Sequence, residues 1–144
     1  MAHFKRTSDK IAHIRSIPLF SKLSHEELAE VARHCDDMSV ASHQVLANEG
    51  SHGDECFIIV SGEITIRRNN RKLAVKGPGE IVGEMALLDE HPRSATLITS
   101  QDSNLLVFSR RDFRLIINEL PGVSRKLLET LSERLRDTDK SWLG

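Results

Sequence analysis

The chain is poor in cysteine, has no dominant charge and contains no long apolar run, and each shortage excludes a class of protein. Cys35 and Cys56 are the only cysteines. Both lie in apolar surroundings, which suits buried thiols in a reducing compartment better than a disulfide framework. With 20 basic and 21 acidic residues the formal net charge is -1, so no global field draws the chain to nucleic acid or an anionic membrane. No apolar stretch approaches the roughly 20 residues of a membrane span, and the N-terminus lacks the apolar core of a signal peptide. A cytoplasmic protein is expected.

Signatures of catalysis are also missing. The chain has seven histidines, but no strand carries the His-x-His pair with a downstream carboxylate and histidine that a metal-dependent cupin enzyme requires. His25, His34, His43, His52 and His91 stand among polar neighbours and are expected to be solvated. No Ser, His and Asp arrangement, nucleophile elbow or phosphate loop with a lysine is present. Asp89 and Glu90 are adjacent acids in a turn, and sequence gives them no opposed geometry. No catalytic residue, metal ligand or cofactor is therefore assigned, and the chain is not expected to be an enzyme. Lys5-Arg6, Arg67-Arg68 and Arg110-Arg111 read as solvated basic pairs.

What remains is an ordinary globular chain of 144 residues, 39% hydrophobic and 28% charged, large enough to bury one core without disulfides or metal. It starts helical. Ser8 and Asp9 are candidate caps, and Ile11, Ile14 and Ile17 recur at helical spacing until Pro18. Ser24 with Glu27 forms a capping box for a second helix, whose Leu28, Val31, Ala32 and Cys35 share one face.

From Asp37 the period changes. Short apolar runs, Val45-Leu46, Phe57 to Val60, Ile64 to Ile66, Leu73 to Val75, Ala95 to Ile98 and Leu105 to Phe108, alternate with turn residues such as Gly62, Asn69-Asn70 and Gly77-Pro78-Gly79. This spacing predicts antiparallel strands in a small barrel or jelly roll.

Helical spacing returns at Arg110 to Asn118, with Phe113, Ile116 and Ile117 inward, and Pro121 opens a last helix to about Lys140. On it, Val123, Leu127 and Leu131 form a packing stripe. Leu128, Leu131, Leu135, Thr138 and Trp142 form a seam of coiled-coil spacing, open to two readings: homodimerisation, or a core-packing helix that frays after Leu135. One domain over 1–144 is expected: N-terminal helices in 1–36, a β-roll in 37–109 and C-terminal helices in 110–140.

The stretch Gly83 to Thr96 carries the chemistry. Gly83 permits close backbone approach, Glu84 to Leu88 are good helix formers, and free N–H groups at the start of such a turn face anions. A polar reversal then delivers Arg93 and Ser94 to the head of a strand. A carboxylate, amide donors, a guanidinium and a hydroxyl are what a sugar phosphate ester needs. By residue type alone, Glu84 and Arg93 equally describe a surface ion pair holding a loop, worth roughly 0 to 1 kcal/mol.

The order Gly83-Glu84-x-Ala86-Leu87-Leu88 followed by Arg93-Ser94-Ala95 resembles the phosphate-binding cassette of cyclic nucleotide-binding domains, as in bacterial catabolite activator proteins and protein kinase A regulatory subunits. Glu49-Gly50, Gly53-Asp54, Ser61-Gly62-Glu63 and Pro78-Gly79-Glu80 extend the resemblance from about Ile17 to about Arg136. Val82 and Glu80 depart from the aromatic and aspartate common in relatives, at positions that touch no ligand. The resemblance implies an α+β fold, an antiparallel β-barrel or jelly roll (double-stranded β-helix) flanked by N-terminal helices and two C-terminal helices. It implies Arg93 as phosphate ligand, Glu84 as ribose ligand and Ser94 as hydroxyl donor, with Gly83, Met85, Ala86 and Ala95 giving backbone contacts. Ser94 favours cyclic AMP over cyclic GMP. Arg134, Thr138 and Asp139 are lid candidates, with Thr138 where bacterial activators contact adenine.

The implied function is a cyclic nucleotide sensor that repacks its C-terminal helices and acts through an unknown effector or as the sensor piece of a longer protein. The helix-turn-helix of the transcription regulators does not follow the last helix, so direct DNA reading is not expected. The alternatives are an interaction module of the same fold without ligand, and a metal-dependent cupin enzyme.

Overall fold

The computed structural model describes residues 7–83 and 91–143. Helix α1 spans Thr7–Ser16, a short 3-10 turn spans Pro18–Phe20, and α2 spans His25–Arg33. Eight strands follow: β1 (Asp36–Val40), β2 (Val45–Ala47), β3 (Glu55–Ser61), β4 (Ile64–Arg68), β5 (Arg71–Lys76), β6 (Ile81–Val82), β7 (Thr96–Thr99) and β8 (Ser103–Ser109). Helices α3 (Arg110–Glu119) and α4 (Pro121–Leu143) close the described chain. The strands form two antiparallel sheets, ordered β1-β8-β3-β6 and β2-β7-β4-β5. This is the jelly roll with flanking helices that the spacing predicts.

The first sheet is buried on both faces, and its sequence shows why. Along β3 and β8 apolar residues follow one another without alternation, as central strands covered on two sides require. Phe57, Ile59, Leu105 and Val107 point between the sheets, against Ile64, Val82 and Leu97. Cys56, Ile58, Leu106 and Phe108 point the other way, beneath the helices, against Ile14, Phe20, Leu28, Val31, Phe113, Ile116 and Val123. Phe108 sits between Phe20 and Phe113, with ring centroids 6.0 and 5.9 Å away, separations at which tilted aromatic pairs attract.

Local rules set the helix boundaries. The Ser24 hydroxyl accepts from the Glu27 N–H at 3.2 Å and the Glu27 carboxylate accepts from the Ser24 N–H at 2.9 Å, the reciprocal capping box. Ser109 caps α3 likewise, accepting from the Asp112 N–H. At α1 the sequence expectation fails: the helix already includes Ser8 and Asp9, so neither is its N-cap. Two strands also escape the pattern. β1 is Asp-Asp-Met-Ser-Val, held by its ladder to β8, and β6 has only two residues. His34 is not solvated either: its ring nitrogens meet Glu30 at 3.2 Å and Asp112 at 3.1 Å, tying α2 to α3.

Both thiols are buried and neither is in a disulfide. Burial pushes the Cys35 thiol up to about 12, with Lys10 partly offsetting. Lys10 is itself buried and donates to the Cys35 carbonyl. Among the described residues no helix is long and apolar enough to cross a membrane, and no group of three or more His, Cys, Asp or Glu is placed to hold a metal.

Candidate anion-binding site

Strand β6 delivers Gly83 beside the start of β3, because Val82 pairs with Phe57. Gly83 has φ +81, a left-handed backbone that a side chain disfavours. A Cβ built there would also stand 2.5 Å from Nη1 of Arg93. The missing side chain thus creates the space that the guanidinium fills.

Arg93 is brought to this point by the loop before β3. Its N–H donates to the Ser51 carbonyl and its carbonyl accepts from the Gly50 N–H, both at 2.8 Å. The side chain runs inward and is only 7% exposed. Nη2 donates to the Glu55 carbonyl at 2.5 Å, and Nη1 donates weakly to the Gly83 carbonyl at 3.4 Å. Nε is buried without a hydrogen-bond partner among the described residues. Among the described residues no carboxylate forms an ion pair with Arg93. Burial lowers its pKa, opposed by the acids Glu55 and Asp54 and reinforced by Arg110. Arginine stays charged regardless. Among the described residues the site therefore holds a desolvated cation whose carbonyl contacts fix its direction, a group whose chemistry suits an anion.

The neighbouring candidates divide. Ser94 is exposed, and its carbonyl accepts from Arg68 Nε at 2.9 Å. Ala95 is buried at the entry to β7. Gly83, Arg93, Ser94 and Ala95 therefore share one corner of the roll. Glu84, Met85 and Ala86, with the turn Glu84 to Leu88 and Asp89-Glu90, lie outside the described residues. Thr138 falls within α4, but its side chain, with those of Arg134, Leu135, Asp139 and Trp142, lies outside them too.

Two participants were not visible in the sequence. The Glu55 main chain aims Arg93, and a carbonyl has no sequence signal. Arg110, read as half of a solvated pair, is half-buried; its Nη2 donates to the Gly53 carbonyl and its N–H to the Asp54 carbonyl, each at 2.8 Å. The loop that holds Arg93 is thereby fastened to the first turn of α3.

Comparison with known proteins places this corner in context. The family profile described as "Cyclic nucleotide-binding domain" matches residues 37–119. The chain is 33% identical over 131 residues to the cyclic AMP receptor protein of Thermus thermophilus, covering 88% of this chain and 61% of that protein. It is 31% identical over 121 residues to a cyclic nucleotide-gated potassium channel of Rhizobium etli, covering 84% of this chain and 34% of the channel. The crystal structure of a cyclic nucleotide-binding domain from Methylobacillus flagellatus superposes with a TM-score of 0.76 at 27% identity, over 95% of this chain and 82% of that one. The chain thus spans less than two thirds of the length of the Thermus and Rhizobium relatives.

Proposed function

Since the chain belongs to the cyclic nucleotide-binding domain family, we propose that it is a regulatory sensor of cyclic AMP and that the corner around Arg93 takes the cyclic phosphate. One observation carries this reading: a buried guanidinium, held by the carbonyls of Glu55 and Gly83, with no acid paired to it among the described residues. In the reading, Arg93 binds the phosphate and Ser94 donates to it. Glu84 accepts from the ribose 2'-hydroxyl, backbone groups of Gly83, Met85, Ala86 and Ala95 close around the ligand, and Thr138 meets the base. Similarity to the cyclic AMP receptor protein of Thermus thermophilus supports cyclic AMP.

The signal is a shift in the packing of α4. Ligand that draws Arg93 also pulls the loop 50–55, which Arg110 fastens to α3; α3 leads into α4 through buried Leu120 and Val123. Room for movement exists: a cleft of about 360 Å³ separates α4 from the barrel, lined by Ile17, Leu19, Ile58, Ile81 and Leu127 among others. The repacked helix would then address an effector protein or a second copy.

Calorimetric titration with cyclic AMP and cyclic GMP tests the reading. Heat with the adenine nucleotide at micromolar affinity, about -8 kcal/mol, is expected. No heat from either nucleotide at millimolar concentration refutes it and leaves a ligand-free interaction module. Hydrogen exchange across Pro121–Leu143 with and without ligand tests the signal separately, and unchanged protection there removes the helix shift.

A further inference from the structure

The hairpin of β4 and β5 concentrates charge as nothing else in the chain does. Residues 67–76 contain Arg67, Arg68, Arg71, Lys72 and Lys76 and no acid, leaving 15 basic against 21 acidic residues, or -6, for the rest. Asn69 and Asn70 turn the hairpin with φ of 52 and 62, the paired left-handed turn that two-residue hairpins favour. No acid pairs with Arg67, Arg68, Arg71 or Lys72 among the described residues.

The hairpin's outer face, which by register carries Arg67 and Lys72, is also apolar where it should be polar. Among the described residues four large hydrophobic side chains are exposed, and three of them, Val45, Leu73 and Val75, stand on the outer face of the second sheet. Register places Val45 beside Ile98, Ile98 beside Thr65 and Thr65 beside Val75, one row across all four strands. A bulge shifts the β4–β5 register between Ile66 and Arg67, with Leu73 as the extra residue. Bulges re-aim side chains, and this one keeps Leu73 exposed alongside Lys72, next to Arg67.

We propose that the outer face of the β2-β7-β4-β5 sheet docks an acidic amphipathic helix of a partner protein, its apolar residues on the Val45 to Val75 row and Leu73, and its carboxylates on Arg67 and Lys72, which the register pairs on that face. The dimensions agree. Three interstrand gaps of about 4.8 Å make a row of about 14 Å, which about two and a half helical turns match. A partner strand fits less well, because the bulge interrupts the edge ladder at Leu73. A second copy of this face would oppose like charges. A bilayer is disfavoured by the Glu63 carboxylate, which accepts from Ser100 Oγ at 2.7 Å beside Thr65, and by the lack, among the described residues, of interfacial aromatics on this face. A helix with acids along one flank avoids Glu63.

The test uses the whole chain and a labelled helical peptide of about five turns, with leucines on one face and glutamates on one flank. Fluorescence anisotropy is expected to give micromolar binding that weakens at least tenfold for Leu73→Ser and for the Arg67→Glu, Lys72→Glu double variant. Amide shifts should map to β2, β4, β5 and β7, and a peptide with lysines for glutamates should not bind. The variants' unchanged affinity for cyclic AMP would show them folded, and the peptide result stands whether or not the parent binds nucleotide. No binding of the acidic peptide, equal binding by the variants, binding of phosphatidylserine vesicles with the same variant dependence, or self-association abolished by these variants would each overturn the proposal.

Discussion

Replacing Arg93 by alanine separates a ligand-binding cation from a structural one, because the two roles predict different changes in stability. Among the described residues the guanidinium makes one good hydrogen bond, to the Glu55 carbonyl, and one long one, to Gly83. Losing the bonds of a charged donor costs about 1.5 to 3 kcal/mol. Removing a buried charge with which no acid pairs among the described residues returns a desolvation penalty of several kcal/mol before relaxation. The two nearly cancel, and the free variant should unfold within about 4 °C of the parent, the shift expected for about 1 kcal/mol in a chain of this size.

Ligand breaks the symmetry. If the proposed function holds, cyclic AMP at about 100 times its dissociation constant should stabilise the parent by about 2.7 kcal/mol, or roughly 5 to 10 °C. A tenfold affinity loss at the same concentration lowers that to about 1.4 kcal/mol, and a loss of about 3 kcal/mol removes nearly all of it. Thermal unfolding followed by circular dichroism, with and without nucleotide, reads both quantities. Equal ligand-induced shifts in parent and variant would refute the assignment of Arg93 to the phosphate. Arg93→Lys, which keeps charge but not the planar fork, should fall between them.

Gly83→Ala should cost about 1 to 2 kcal/mol for its left-handed backbone and displace the Arg93 guanidinium, so cyclic AMP affinity should fall with stability; a variant that binds normally would show that the cradle has slack. Phe108→Ala should destabilise by about 3 to 5 kcal/mol, as removal of a fully buried ring between two others does, and urea denaturation measures it. Burial holds the Cys35 thiol neutral up to about 12, against 9.0 ordinarily. The thiol's contribution is therefore complete below pH ~9 and is lost as pH rises toward ~12 while the unfolded chain ionises. Alkaline denaturation curves of parent and Cys35→Ala should diverge in that window, and parallel curves would contradict the burial.

Periodicity and local chemistry by themselves determined the parts of this protein whose partners lie near in sequence. The Ser24-Glu27 box places α2, Asn69-Asn70 turns the hairpin, and the unbroken apolar runs of β3 and β8 announce strands buried on both faces. The order from Gly83 to Ala95 marks the proposed site for the same reason: its groups fall within a short stretch. Tertiary structure alone decided the rest. β1 has too few apolar residues to show a period and exists through its ladder to β8. His34 looks solvated until α3 brings Asp112 beside it. Arg93 is aimed by a carbonyl 38 residues away, and Arg110 grips one 57 residues away. Main-chain acceptors are the same at every residue, so only the folded chain says which one a buried cation finds.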